Sequence, residues 1–297
     1  MPSPRDLVEL VRAPAALSVP GDVAAGAAAG QALGGRTLGL ACSSVCLYWA
    51  GMAANDWADR HLDAVERPER PIPSGRVSPG AALGIAVGLT LAGLAGAGLS
   101  GGRRALAVAV PLAAAVWSYD LVAKNTAAGP PAMALCRGLD VLLGATPGRS
   151  VAKALPPALT VAAHTYLLTA LSRAEVSGSG RGLPAATLAG TAALAAATAL
   201  GRGDAPREPR TARAARVVRI VRAGLTGWYA AGFGLPQARA VAEPSASRLR
   251  GAVGAGIVAL PALQGALVAR GGATREGVAI AAAVPLGRAL ARKVSPT

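Results

Sequence analysis

The sequence predicts an all-α integral membrane protein of about nine transmembrane helices, and three observations carry that reading. Hydrophobic residues make up 53% of the 297 and charged residues only 15%, where a soluble domain of this size carries about 25% charged residues. The apolar residues come in long blocks rather than in narrow amphipathic stripes, and a helix needs about 20 mostly apolar residues to span a bilayer. The side chains are small, with Ala, Gly, Leu and Val dominant and a single Phe. Small residues are what closely packed membrane helices use at their contacts. Mean hydropathy, at +0.43, agrees.

The first block, 15–33, is expected to be a retained helix, because the preceding residues carry Asp6 and Glu9 and lack a cleavable signal pattern. Gly26, Gly30 and Gly34 recur at every fourth position along it, a close-contact spacing that Gly84 and Gly88 repeat. Block two, 37–54, leads into a charged segment, 55–78. Blocks three and four, 79–99 and 105–122, are separated by Gly101-Gly102-Arg103-Arg104. Block five is 131–146, block six 154–171 and block seven 183–200. Residues 201–216 are Arg- and Pro-rich and polar. The next block, 217–235, contains Arg219 and Arg222, so it reads either as a span or as an interfacial amphipathic helix. Blocks at 252–269 and 277–290 bring the total to nine or ten. The whole chain, 1–297, is expected to be a single polytopic membrane domain.

The net charge is +15, from 30 Lys and Arg against 15 Asp and Glu. In a soluble protein this would raise nucleic-acid binding. Most of these basic residues instead sit between apolar blocks, as membrane topology and lipid headgroups require. With aromatic residues at 3%, stacking platforms are nearly absent and nucleic acid is not expected as a partner. Arg60, Arg67, Arg70, Arg76, Lys124, Arg173 and Arg181 follow the even-numbered blocks, and Arg5 and Arg12 share their face. Arg36, Arg103, Arg104, Arg149 and Lys153 lie on the other. The bias places the even-numbered connections, and with them 55–78, in the cytoplasm of a bacterial-type inner membrane. The polar run at 201–216 fits this alternation poorly. Cys42, Cys46 and Cys136 all fall inside apolar blocks and read as small buried side chains, since a metal site wants more ligands than two thiols and no His is near.

The chemistry concentrates in Asn55-Asp56-Trp57-Ala58-Asp59-Arg60-His61-Leu62-Asp63. This chain has few acids, yet four of its first eight fall between Asp56 and Glu66. If block two continues as a helix, Asn55, Asp59 and Asp63 stand at i, i+4 and i+8, with Asp56 beside them on one side. Such a cluster repels itself unless a cation sits within it. Oxygen-only donors point to a hard ion, Mg²⁺, which binds few carboxylates and completes its shell with water and phosphate oxygens. The other reading is a solvated loop of mixed charge at a membrane surface. Downstream, Arg67-Pro68-Glu69-Arg70-Pro71-Ile72-Pro73-Ser74-Gly75-Arg76 stops any helix and makes a rigid turn. Arg67 and Arg70 then either reach phosphate oxygens or serve as membrane-surface cations.

N-D-x-x-D-x-x-x-D followed by R-P-x-P-S-G at the end of a second membrane helix resembles the UbiA superfamily of intramembrane prenyltransferases. Arg12-Ala13-Pro14 with Pro20-Gly21-Asp22, and the segment from Tyr119 to Lys124, are similar to other parts of that family. The resemblance implies nine helices around a central lipid-accessible cavity. It also implies a prenyl diphosphate held by Mg²⁺ and basic residues, and transfer of the allylic chain to an aromatic or other small acceptor. By the same resemblance Asn55, Asp56, Asp59 and Asp63 would hold Mg²⁺, and Lys124 would bind the diphosphate. Asp59, Asp63 and Lys124 would be the catalytic set. The family's second aspartate motif, after helix six, is reduced to Leu171-Ser172-Arg173-Ala174-Glu175-Val176. Either Arg173 and Glu175 complete the diphosphate site, with the guanidinium in place of a metal's charge, or the second metal is lost and catalysis with it. This S-R-x-E form resembles an EboC-type branch of the family.

Intramembrane charges default to functional hypotheses. Arg137 and Asp140, three apart in block five, are either a structural pair on one helix or part of the lining of the cavity. Asp22 stands near the start of block one. His164 reads as a satisfied interior histidine. Two functions compete: Mg²⁺-dependent prenyl transfer, and a non-catalytic carrier that binds a lipid or metabolite in the same cavity. Ion transport is less favoured, because the acids cluster at one helix end.

Overall fold

The computed structural model describes residues 2–201 and 212–283. Their regular structure is helical. A short amphipathic helix, α1 (Pro4–Leu10), is capped by Ser3, whose hydroxyl accepts from the Asp6 amide while Asp6 bonds back. It leads through a tight turn into α2 (Val19–Ala29) and then α3 (Gly35–Ala58). After α4 (Arg60–Glu66) and the proline-rich loop comes α5 (Pro79–Ser118). Five further helices follow: α6 (Gly129–Ala145), α7 (Leu155–Ser172), α8 (Gly182–Leu200), α9 (Ala212–Ala242) and α10 (Ala246–Arg270).

Blocks three and four form two helices, 40 residues together and labelled α5 as a pair, that meet at a kink, so that each, at about 1.5 Å per residue, matches one hydrocarbon core. The pair turns at Gly102, where φ is +66°, a left-handed geometry that suits glycine. Its two arms, with α2, α3 and α6 to α10, give nine rods among the described residues. A tenth rod begins at residue 274, and the part of block 277–290 beyond residue 283 lies outside the described residues, as does most of the polar run 201–216. Five elements meet the length and apolarity of a full span on their own: α3, the α5 element, α7 with its preceding turn, α8 and α10. The ambiguous block 217–235 lies inside the 31-residue α9. Arg222 there is half-buried and donates to the carbonyls of Gly201 and Ala199.

Glycines let backbones touch where it matters for the site. A Cβ on Gly26 would stand 1.7 Å from the Val141 carbonyl, and one on Gly144 would stand 1.9 Å from that of Val23. Only glycine admits α2 and α6 to this distance, which brings Asp22 and Arg137 face to face. Gly84 and Gly88, at the same spacing, meet nothing within 4 Å. Outside the bundle, Leu38, Leu91, Leu99, Leu159 and Leu200 are exposed, an apolar surface suited to lipid. Cys136 is buried as expected, but Cys42 is exposed because it stands on the outer side of α3. His164 is buried and its Nδ1 lies 3.0 Å from the Tyr229 hydroxyl.

Candidate functional site

The acidic segment does not continue α3 as one straight stripe. The helix stops at Ala58, Asp59 takes φ −85° and ψ 2°, and α4 starts afresh at Arg60. The four predicted side chains therefore fan out to different partners. Asn55 donates from Nδ2 to Asp120 Oδ1 at 3.2 Å. Asp56 Oδ1 lies 2.7 Å from Arg12 Nη2 and 3.4 Å from Arg70 Nη1. Asp63 Oδ2 lies 2.6 Å from that same Arg70 nitrogen, so one guanidinium gathers Asp56 and Asp63 across the bend. Asp59 Oδ1 faces Lys124 Nζ at 2.6 Å. Arg60 instead lies over the Trp57 ring, 4.8 Å from its centre.

Local backbone explains each approach. Arg12 is held left-handed, at φ 47° and ψ 50°, between α1 and the turn that follows, a conformation few non-glycine residues adopt. That corner turns its side chain to Asp56. Lys124 follows a widened turn at Tyr119–Ala123, where its amide donates to the Tyr119 carbonyl at 2.9 Å, five residues back. Such wide turns favour functional positions. Arg70 is delivered by the proline loop, closed by Ser74 N to Arg70 O at 3.0 Å and Val77 N to Pro71 O at 2.9 Å. Arg76 ties the loop to α1 through Asp6 at 2.8 Å and Glu9 at 2.7 Å. The Arg76 guanidinium holds the Glu9 carboxyl below its ordinary range.

Of the predicted residues, Asn55, Asp56, Asp59, Asp63, Arg70 and Lys124 come together at this mouth. Arg67 is exposed at the end of α4. Arg173 donates to the Thr126 carbonyl, which pins the loop behind Lys124. Glu175 lies toward α10, where Arg250 donates to its carbonyl at 3.3 Å, and burial pushes its carboxyl above the ordinary range. Arg137 and Asp140 are not a pair. Arg137 Nε meets Asp22 Oδ2 of α2 at 2.7 Å, while Asp140 accepts from Ser44 of α3. The i−3 spacing suggested a pair within one helix, but partners on neighbouring helices were closer.

Two residues of the mouth, Arg12 and Asp120, went unassigned in the sequence although both lie in stretches singled out there. No local pattern joins Arg12 to Asp56, 44 positions on, or Asp120 to Asn55, 65 positions back. Beneath the mouth opens a cavity lined by Leu47, Met52, Leu112, Val116 and Met133. Tyr48, Tyr119 and Asp120 also line it, as do Ser44, Arg137 and Asp140.

The donors at the mouth are oxygen only, which fits a hard ion held by one or two carboxylates with water and phosphate oxygens. Among the described residues no three acidic, His or Cys side chains converge into a ready-made cage. Lys124 Nζ is buried and meets one carboxylate oxygen, Asp59 Oδ1 at 2.6 Å, which leaves two of its three N–H groups without a protein acceptor. Phosphate oxygens would satisfy them. The residues therefore fit Mg²⁺ that arrives with a diphosphate better than Mg²⁺ held by protein alone.

Comparison with known proteins bears on this arrangement. The model of the UbiA prenyltransferase family matches residues 17–200. The chain is similar to the bacteriochlorophyll synthase 33 kDa chain of Cereibacter sphaeroides, 34% identical over 155 residues, 49% of this chain and 51% of that protein. It is also similar to a digeranylgeranylglyceryl phosphate synthase of Methanothrix thermoacetophila, 56% identical over 61 residues, 20% of this chain and 23% of that one. The matched stretches span about half or less of these curated relatives. In fold it is similar to a UbiA homolog from Archaeoglobus fulgidus bound to GPP and Mg²⁺. The TM-score there is 0.58 at 17% identity, covering 93% of this chain and 99% of that one.

Proposed function

The chain belongs to the UbiA prenyltransferase family, and from that premise we propose that it moves an isoprenoid chain from a prenyl diphosphate to an aromatic or other small acceptor within the membrane. The observation that carries the proposal is the mouth itself. Three cations, Arg12, Arg70 and Lys124, and the acids Asp56, Asp59, Asp63 and Asp120 sit directly over a largely apolar cavity between helices.

Asn55, Asp56, Asp59 and Asp63 would hold Mg²⁺, whose charge would help neutralise the departing diphosphate. Lys124 and Arg70 bind phosphate oxygens, and Arg67 stands at the rim to assist. Arg173 keeps the Lys124 loop in place, and Glu175 would reach the diphosphate only by turning from α10. The apolar walls hold the isoprenoid chain and exclude water, which would otherwise capture an allylic cation. Each acid now paired with a cation releases it to the incoming phosphates, so binding exchanges one set of ion pairs for another. The chain acts as a single polytopic unit, with segment 55–78 on the cytoplasmic side of a bacterial inner membrane. The S-R-x-E form after α7 supports an EboC-type branch as the finer assignment.

A second reading, a carrier that binds the same ligand without reaction, is favoured by one observation: Arg173 is spent on the Thr126 carbonyl and Glu175 faces α10. Titration of the purified protein with a prenyl diphosphate, with and without Mg²⁺, followed by product analysis, separates the two. Mg²⁺-dependent affinity together with prenylated product supports transfer. The same affinity with no product, across a broad acceptor mixture, supports the carrier.

A further inference from the structure

The cavity has a second polar end that phosphate binding leaves without a task. Ser44 precedes Asn55 by three turns of α3, about 16 Å at 1.5 Å per residue, and there it donates to Asp140 of α6. One turn earlier on α6, Arg137 meets Asp22 of α2 at 2.7 Å. Gln264 of α10 holds the other Asp22 oxygen at 2.6 Å and the Ser18 carbonyl at 2.7 Å. Asp22 is fully buried and Asp140 is 4% exposed. Arg137 and Asp140 both line the cavity.

The charge at this end follows from the residues. Two carboxyls stand against one guanidinium, so the end is negative with both ionised and neutral with one protonated, and Asp22, 2.7 Å from Arg137, is the one held ionised. The cations that would favour an anion, Arg12, Arg70 and Lys124, stand at the mouth. A carboxylate brought to Asp140 would lose its water and meet either a like charge or a neutral acid beside a guanidinium that Asp22 already neutralises. A hydroxyl loses far less, and it can donate to Asp140 while accepting from Arg137. A site built around such groups discriminates strongly against a partner of the wrong charge.

We propose that Arg137 and Asp140 read the head group of the acceptor and select a neutral, hydroxyl-bearing acceptor over a carboxylate of the same shape. The inference rests on the transfer reading only in taking this cavity as the acceptor's place. It is tested by binding, so that the two stand or fall separately. The probes are 2-naphthylmethanol and 2-naphthoate, with partition into detergent measured in protein-free controls and subtracted. The purified chain is expected to bind the alcohol at least about tenfold tighter, a difference of about 1.4 kcal/mol. Asp140→Asn, which keeps the shape and removes a carboxylate, is expected to bring the ratio to within about threefold. Ser44→Ala, which keeps both charges, is expected to retain the preference and serves if Asp140→Asn does not fold. Equal or tighter binding of the carboxylate, no binding of either compound, or a ratio unmoved in folded Asp140→Asn overturns the inference. None of these outcomes touches prenyl transfer, which is read by product.

Discussion

Lys124 is the residue on which the mouth turns, because its side chain is the most buried of the three cations there, 12% exposed against 19% for Arg70 and 39% for Arg12. Replacing it with Ala is expected to cut turnover by about 10²- to 10³-fold, the loss typical of one charge-stabilising donor. Lys124→Arg should recover part of that rate, and steady-state kinetics reads both. Arg70 carries a structural burden as well as its proposed phosphate contact. Its side chain is 19% exposed and it bridges Asp56 and Asp63, which are 5% and 3% exposed. Arg70→Gln strands the buried Asp63 carboxylate and leaves Asp56 to Arg12 alone, and thermal or denaturant unfolding in detergent should show a loss of about 3 kcal/mol. Glu9 supplies a pH test. Arg76 lowers its pKa from the ordinary 4.5, so the stabilisation is present above pH 4.5 and fades as pH falls through the lowered value. Limited proteolysis of the 67–78 loop should quicken below pH 4.5, and Arg76→Gln should bring the same sensitivity to neutral pH.

At the scale of elements, the long apolar blocks announced the helices well, since burial in lipid demands unbroken runs. Where they end was less legible. The Asp-rich stripe read as a continuation of α3 because its i, i+4 and i+8 spacing fits a helix, yet the chain bends at Asp59 to let Arg70 reach back. The glycine spacings show the same limit. Gly26 packs against α6 while Gly84 packs against nothing, and the pattern in the chain is identical. Sequence spacing states that a close approach is possible, whereas a neighbouring backbone decides whether it is used. Gly144→Val should therefore lower the unfolding temperature markedly by separating α2 from α6, while Gly84→Val should leave it within a degree or two. Thermal scans of the two variants side by side settle the comparison.

For the molecule as a whole, the nine rods of the described residues and the acidic mouth were foreseeable, whereas the second end of the cavity was foreseeable only in part: Arg137 and Asp140 were offered as its lining, but their partners were not. Asp22, Arg137, Asp140 and Gln264 come from α2, α6 and α10, and no short-range pattern announces a meeting across 242 positions. The resulting molecule has a cationic and acidic mouth at one end of its cavity and a compensated polar cluster at the other, with apolar walls between. That polarity is what a transfer reaction between a charged donor and a small acceptor needs. The most direct test incubates the purified chain with Mg²⁺, prenyl diphosphates of several lengths and a membrane-lipid and metabolite extract, and searches for new prenylated masses. Products that need Mg²⁺ and vanish in folded Asp59→Ala and Asp63→Ala are the predicted result; product formation undiminished in those two variants would contradict the account.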